Sequence, residues 1–406
     1  MKLKQKSSDK LFSRAKKLIP GGIFGHYKYA VRKEGPKFFS KAKDAYFWDV
    51  DGNKYIDLIC GWGPMILGYN NPIVDKAAQN QYSLGNTVSV ASPVMIELAE
   101  TLIETVEIAE WALFGKNGGD STQLAVMISR QETGKDKVLM IEGGYHGANG
   151  WMQREGSPGT IKTDSSEVIS VPWNSIEEFD SAISKYENEI ACFISSPFHH
   201  PTSEDNVLPE KDYWEHIERV CKEKNIILIV DDVRTGFRID LAGSNKAFNF
   251  SPDLVCLGKA IANGYPISAL VGKSQLKDAA NKVYFSGTQF FNSAPMAAAI
   301  ATLNELKNIN AISSMNHHGK VLKEKIISMA KSYDVDLRVT GVPSMPYFRI
   351  ESDDKELHSR WVDSCLAKGI YMTSYHNHFL SAVHREKEID LIVNLASKAL
   401  EESIET

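Results

Sequence analysis

Cysteine is scarce in this chain of 406 residues, which has only five. No two of them are closely spaced, and this argues against a disulfide framework or a zinc ribbon. The other potential ligands show no recognisable metal-binding spacing, so no metal site is expected. Such cysteine usage is typical of a reduced, cytoplasmic compartment. The five are Cys60, Cys192, Cys221, Cys256 and Cys365.

Long apolar runs and a strong net charge are also missing. No segment has 18 consecutive apolar residues, so no membrane span is expected. The N-terminus is basic but has no continuous apolar stretch, which argues against a secretion signal. The net charge of −5 gives no electrostatic reason to expect nucleic-acid binding.

The remaining pattern alternates strands and helices. Residues 45–59, AYFWDVDGNKYIDLI, predict two strands around an Asp-Gly turn. From about residue 90 to 300, apolar β-branched runs alternate with helical segments, which is typical of a mostly parallel sheet covered on both faces. We expect an N-terminal segment over 1–60 that packs with a small domain, a large domain over 61–305, and a small α+β domain over 306–406.

Lysine follows one of the buried strands, in LVCLGKAIANG. Sites in open α/β sheets lie beyond the carboxyl ends of the strands, and Lys259 has that position. Burial lowers the pKa of a lysine and makes its amine available for Schiff-base chemistry. The competing interpretation is a surface lysine whose stem covers apolar groups.

An aspartate ends another buried strand, in IILIVDDVRTGFR (226–238). A buried carboxylate such as Asp231 requires a cation or strong donors. The protonated ring nitrogen of pyridoxal phosphate is one such cation, and enzymes that use this cofactor pair a Schiff-base lysine with an acid. A structural partner, either Arg234, Arg238 or a helix N-terminus, remains the alternative.

Two further loops could complete a cofactor site. KNGGDST places two glycines before a helix, which suits a phosphate group. GGYHG offers Tyr145 and His146 beside a loop glycine, and Val233 could pack on the opposite ring face. Ordinary loop structure remains possible for each. No G-x-G-x-x-G follows a strand, which disfavours a nicotinamide-dependent oxidoreductase.

Together these residues resemble a known family. The blocks FWDVDGNKYIDLICGWGPMILGYNNP, FGKNGGDSTQLAV, GYHG, IILIVDDVRTGFR, CLGKAIANGYPISALVG and SGTQFFNSAPMAAAIATL are similar, in order and spacing, to class III pyridoxal-phosphate aminotransferases. The resemblance is closest to the group around glutamate-1-semialdehyde 2,1-aminomutase and covers nearly the whole chain.

The resemblance implies the α/β architecture of fold type I, with a mostly parallel seven-stranded sheet in the large pyridoxal-phosphate domain and a smaller α+β domain. It implies a homodimer, with Thr288 reaching the cofactor phosphate across the interface, and Trp62 lining the substrate pocket. It assigns the Schiff base to Lys259 and the ring nitrogen to Asp231. The other cofactor contacts expected are Gly118, Gly119, Asp120, Tyr145, His146 and Val233.

The chain also departs from the family pattern. Gly119 stands where a serine or threonine is common, and Asp232 replaces the usual glutamate. The segment SSPFHHPTSEDNVLP makes His199 and His200 candidates for contact with cofactor or substrate, or a loop pair without such a role. Arg234 could bind a substrate carboxylate or pair with a structural acid.

The predicted function is ping-pong transfer of an amino group between a donor and a keto acid, aldehyde or keto-sugar-type acceptor. An intramolecular aminomutase is the nearest alternative, and racemase or decarboxylase chemistry is another. A non-catalytic protein that kept the fold is disfavoured by the joint presence of Lys259, Asp231 and Thr288.

Overall fold

The computed structural model describes residues 3–25, 28, 35–153 and 156–405. The chain forms two compact units. The first comprises the described residues up to Asn71, the short segment Thr202–Asn206, and those from Ser313 onward. The second comprises Pro72–Pro201 and Val207–Ile312. The sequence-based boundaries at 60/61 and 305/306 stay predictions.

Strands and helices alternate along most of the described chain. The strands are β1 Phe39–Lys43, β2 Tyr46–Asp49, β3 Lys54–Asp57, β4 Trp111–Gly115, β5 Lys137–Ile141, β6 Val168–Val171, β7 Ile190–Ser195, β8 Ile227–Asp231, β9 Leu254–Leu257, β10 Ser268–Gly272, β11 Asp336–Thr340, β12 Tyr347–Glu351 and β13 Ile370–Tyr371. The α-helices are α1 Lys6–Leu18, α2 Pro72–Leu84, α3 Val94–Thr105, α4 Gly118–Thr133, α5 Ile176–Lys185, α6 Tyr213–Glu223, α7 Ser244–Ala247, α8 Lys277–Lys282, α9 Ser293–Asn308, α10 Ala311–Lys331, α11 Leu357–Ala367 and α12 Glu386–Ile404.

A seven-stranded sheet forms the centre of the second unit. Its strand order is β4-β10-β9-β8-β7-β5-β6. Only β10 runs against its neighbours, and the other pairs are parallel. The residues of β7 and β8 are all buried, as expected for strands covered on both faces. The predicted mostly parallel, seven-stranded α/β architecture is confirmed.

The strand directions bring five loops to one edge of this sheet. Because β4 and β9 both run antiparallel to β10, they point the same way as β5, β7 and β8. The carboxyl ends of these five strands therefore meet at one edge. The segments that follow them contain Gly118, His146, His199, Val233 and Lys259.

The first unit contains the predicted hairpin. β2 and β3 pair antiparallel around the Asp-Gly turn, and β13 adds to β3 in parallel. The sheet order is β1-β2-β3-β13. A separate core of buried apolar side chains includes Trp361 and Phe348. Across the described residues, no helix is long and apolar enough to cross a membrane.

We predict that Gly319→Ala destabilises the protein, although alanine favours helices. Gly319 is buried in α10, and a Cβ there would overlap the carbonyl oxygen of Pro343. Helix propensity would favour alanine by about 1 kcal/mol, but overpacking of this kind costs about 1–3 kcal/mol. Urea unfolding should show a lower midpoint for Gly319→Ala. The control Ser313→Ala, at an exposed position of the same helix, should not lower it; equal behaviour of both variants would contradict this packing argument.

Candidate active site

Asp231 is the last residue of the central strand β8, and only 6% of it is exposed. Its Oδ2 lies 2.7 Å from Nδ1 of His146, and its Oδ1 accepts the Val233 N–H at 3.1 Å. Because a carboxylate only accepts hydrogen bonds, the imidazole donates from Nδ1. These two donors orient the carboxylate and compensate part of the cost of burying it.

His146 belongs to the loop after β5 and is also buried. The Thr122 hydroxyl donates to the His146 carbonyl at 2.6 Å, which fixes this loop to the first turns of α4. The Nε2 atom of His146 is buried and has no hydrogen-bond partner among the described residues. A buried polar atom without a partner marks a position where a bound group could supply one.

Lys259 begins a short 3₁₀ helix directly after β9 and Gly258. Its φ of 42° lies in the left-handed region, which is costly for a residue with a side chain and recurs at functional sites. The pKa of Lys259 is lowered to about 8, chiefly by burial and also by the positive charges of Arg234 and Arg238, whereas Asp231 acts to raise it. The amine therefore loses its proton more easily than an ordinary lysine.

Two glycines make room for Val233 between the loops. A Cβ on Gly118 would lie 2.5 Å from Cγ1 of Val233, and one on Gly258 would lie 3.2 Å from the same atom. The isopropyl group thus packs against the start of α4 and against the backbone next to Lys259. This packing brings the glycine loop, the Asp231 segment and the lysine loop together, as the sequence predicts.

The start of α4 is shaped by Asp120. Its Oδ2 accepts the backbone N–H groups of Lys116 and Asn117 at 2.8 and 2.7 Å. Its carboxylate therefore shapes the turn before the helix. The N–H groups of the first helical turn form the kind of end that binds phosphate. Phosphate binding by Gly118, Gly119 and Asp120 stays a prediction.

Arg234 and the two histidines interact in ways that the sequence did not indicate. Nη1 of Arg234 donates to Nδ1 of His200 at 2.8 Å and to the His200 carbonyl at 3.2 Å. The ring of His199 stacks on Trp173 with 6.0 Å between centroids and 18° between planes. These partners are 34 and 26 positions apart, so spacing gave no signal for them. Substrate binding by Arg234 and His199 stays a prediction.

Asp232 serves a different purpose from Asp231. Its Oδ1 accepts the Thr235 hydroxyl at 2.5 Å, and its Oδ2 accepts the Ser244 N–H at 3.0 Å. Successive residues of a strand point to opposite faces, which explains the separation of the two acids. Asp232 has structural partners within the segment that follows β8.

The other candidates lie in different surroundings. Tyr145 is 65% exposed beside His146, and Thr288 is exposed at the start of a short 3₁₀ helix, Thr288–Phe291. Trp62 belongs to the first unit, where its ring lies 6.3 Å from Tyr375 and 5.1 Å from His376. The backbone of Trp62 has a φ of 71°, which is strained for a residue with a side chain. Strain of this kind is common at binding loops. The roles predicted for Tyr145, Thr288 and Trp62 stay predictions.

The chain is similar to known proteins over nearly its whole length. Residues 29–385 match the family model Aminotransferase class-III. The aminopentol aminotransferase of Sphingopyxis macrogoltabida is 35% identical, over 96% of this chain and 92% of that protein. The glutamate-1-semialdehyde 2,1-aminomutase of Methanocaldococcus jannaschii is 33% identical, over 88% and 85%. The pyridoxal-phosphate internal aldimine structure of the Sphingopyxis sp. MTA144 FumI protein is 34% identical, with a TM-score of 0.94 over 98% and 96%.

We predict that Lys259 reacts with acetic anhydride at lower pH than an ordinary lysine. Its acetylation in the full-length protein before cofactor is added, followed by mass spectrometry of its peptide, should be half-maximal near pH 8. Only the unprotonated amine reacts, so a lowered pKa moves the curve to lower pH. A synthetic peptide of residues 254–264 contains only this lysine and serves as the reference. Coincident curves for protein and peptide would contradict the prediction.

Proposed function

The chain belongs to the class III aminotransferases, a family of pyridoxal-phosphate-dependent enzymes, and we propose that it acts by ping-pong transfer through Lys259. The two substrates are an amino donor and a keto acid, aldehyde or keto-sugar-type acceptor. One observation carries the proposal. Asp231 ends a central strand as a buried, hydrogen-bonded carboxylate, within electrostatic range of a lysine whose pKa is lowered to about 8.

The residues present suit pyridoxal 5'-phosphate. The cofactor would find an acid for its ring nitrogen in Asp231, an amine in Lys259 and phosphate-binding N–H groups at the start of α4. Val233 would cover one face of the ring and Tyr145 the other. The Nε2 of His146 is buried and has no hydrogen-bond partner in the part of the chain that the structure describes, which is consistent with a polar group bound nearby.

The bound cofactor supplies an electron-withdrawing protonated ring that stabilises negative charge at the substrate carbon and carries the amino group between substrates. Asp231 favours the protonated state of that ring, because a carboxylate stabilises a neighbouring cation. His146 holds the carboxylate in place through the hydrogen bond from its Nδ1. With the cofactor bound, Lys259 would take the proton from the substrate carbon at Nζ and later deliver it on the cofactor side, and a pKa near 8 suits both transfers.

Aminomutase chemistry is the second candidate, since one relative named as such is 33% identical over most of this chain. An aminomutase moves the amino group within one substrate, whereas an aminotransferase releases a keto product before the acceptor binds. The residues around Lys259 serve both reactions. The kinetics of the half-reaction separate them.

We also propose a homodimer in which Thr288 completes the site of the partner subunit. Large apolar side chains flank Thr288 and are exposed in the single chain, among them Tyr284 at 88% and Phe291 at 47%. Leu84 and Val90 are exposed in a segment tied to the same region by the bond from Thr87 to Asn292. Exposed apolar groups of this extent are typical of a protein interface.

A reducing, cytoplasmic compartment is proposed because all five cysteines are buried free thiols.

We predict that the cofactor-loaded protein, mixed with an amino donor and no acceptor, releases one equivalent of keto product per site. Lys259→Ala should release none and should lose the visible absorbance of the bound cofactor, because its amine forms the link and moves the proton. Stopped-flow absorbance and product analysis measure both quantities. Lys282→Ala, which changes a lysine on the short helix α8, is the control and should match the wild type.

Two results would count against this function. Turnover and absorbance that survive in Lys259→Ala would contradict the assignment of the lysine. Absence of a free keto product in the wild type, together with an isomerised single substrate, would replace the aminotransferase by the aminomutase.

We predict that a mixture of two inactive variants regains activity. In a dimer of Lys259→Ala with Thr288→Ala, a site that takes its lysine from one chain and its threonine from the other is intact once per dimer. Assayed at limiting cofactor, where Thr288→Ala alone binds poorly, the mixture should therefore exceed the sum of the separate variants. If Thr288 acts within its own chain, every site is damaged and no activity is regained.

A further inference from the structure

Arg234 lies three residues after Asp231 and is half-buried. Both of its bonds to His200 leave from Nη1, at 2.8 Å to the ring and 3.2 Å to the carbonyl. A guanidinium only donates, so Nδ1 of His200 accepts and carries no proton. His200 thereby helps to fix the orientation of the guanidinium group.

The backbone around Arg234 lies close to Lys259. The preceding residue, Val233, packs within 3.2 Å of the Cβ position of Gly258, the neighbour of Lys259. The charge of Arg234 lowers the pKa of Lys259, and the charge of Asp231 raises the pKa of Arg234. The charge of Arg238 also lowers the pKa of Lys259, and His146 is hydrogen-bonded to Asp231. Arg234 and Lys259 thus share one site in which Asp231 is the main counter-charge.

We propose that Arg234 binds the carboxylate of a carboxylate-bearing substrate, and that this bound carboxylate makes Lys259 a stronger base. The inference rests on the proposed function and names the substrate class: 2-amino acids as donors, 2-oxo acids as acceptors, or both. The planar guanidinium matches a carboxylate geometrically, and its partial burial strengthens the attraction. A bound anion offsets the arginine charge that otherwise disfavours a proton on Lys259.

Burial and the charge of Arg234 both lower the pKa of Lys259. Removing the charge, or neutralising it with a carboxylate, therefore raises the pH at which Lys259 loses its proton. This arrangement suits catalysis, because Lys259 is most basic when a substrate carboxylate is bound. Uncharged amines and aldehydes would not produce this change.

The first test measures acetylation of Lys259 against pH in the full-length protein before cofactor is added, with and without propionate. Propionate should move the wild-type curve upward by about one pH unit, a usual size for one nearby charge. Arg234→Gln should start from the higher position and show no further response. Arg234→Lys keeps the charge, so its curve without propionate should resemble that of the wild type.

The second test uses the cofactor-loaded enzyme and matched substrate pairs. Pyruvate and propanal differ by a carboxylate on the acceptor side, and alanine and ethylamine provide the comparison on the donor side. Arg234→Gln should lower kcat/KM for the carboxylate member roughly ten- to a hundredfold more than for its partner. Arg234→Lys should lose part of this discrimination, because it lacks the planar fork. Arg219→Gln, at an exposed ion pair, is the control.

If the selective loss of kcat/KM in Arg234→Gln occurs in just one of the two substrate pairs, that pair shows whether Arg234 binds the carboxylate of the donor or of the acceptor. Either result supports the proposal. Equal losses for charged and uncharged members, or a propionate response that persists in Arg234→Gln, would overturn it. These outcomes are separate from failure of the proposed function, which would appear as turnover by Lys259→Ala. An enzyme that is active on amines and aldehydes but indifferent to Arg234 refutes only this inference.

Discussion

The buried carboxylate of Asp231 is the constraint around which the second unit is arranged. A charge in the middle of an apolar sheet is stable only where donors reach it, and a central strand offers few. Here β8 ends at Asp231, and His146 in the loop after β5 donates a hydrogen bond to its carboxylate. That loop is in turn fixed to α4 through Thr122. One buried acid therefore determines where three loops must lie.

Asp231 and the neighbouring arginines shift the pKa of Lys259 in opposite directions. Asp231 favours a proton on Lys259, while burial and two arginines disfavour it, and the balance places the pKa near 8. The left-handed backbone of Lys259 adds a local cost that the surrounding packing has to meet. Tight contacts of Val233 with the Gly118 and Gly258 backbones provide such packing. The reactivity of the lysine thus follows from burial and neighbouring charges, and close packing holds its backbone.

The sequence predicted what depends on local pattern. Apolar runs alternating with helices predicted the parallel sheet, and the positions of Asp231 and Lys259 at strand ends predicted that they meet at one edge. Contacts between distant residues left no such signal. The bond from His146 to Asp231 joins positions 85 apart, and that from Arg234 to His200 joins positions 34 apart. The sequence pattern also gave no sign that Thr202–Asn206 belongs to the first unit, because this depends on which surfaces pack together.

The two adjacent acids explain how one short segment serves both site and scaffold. Asp231 faces the site, whereas Asp232 accepts hydrogen bonds from Thr235 and Ser244. Burial raises the pKa of Asp232, and these donors counteract it, so the carboxylate is a structural tie across residues 232–244. Arg234 lies within the tied segment, and its position depends on this bond network as well as on His200. Asp232 thus stabilises the segment that carries Arg234 through its hydrogen bonds with Thr235 and Ser244.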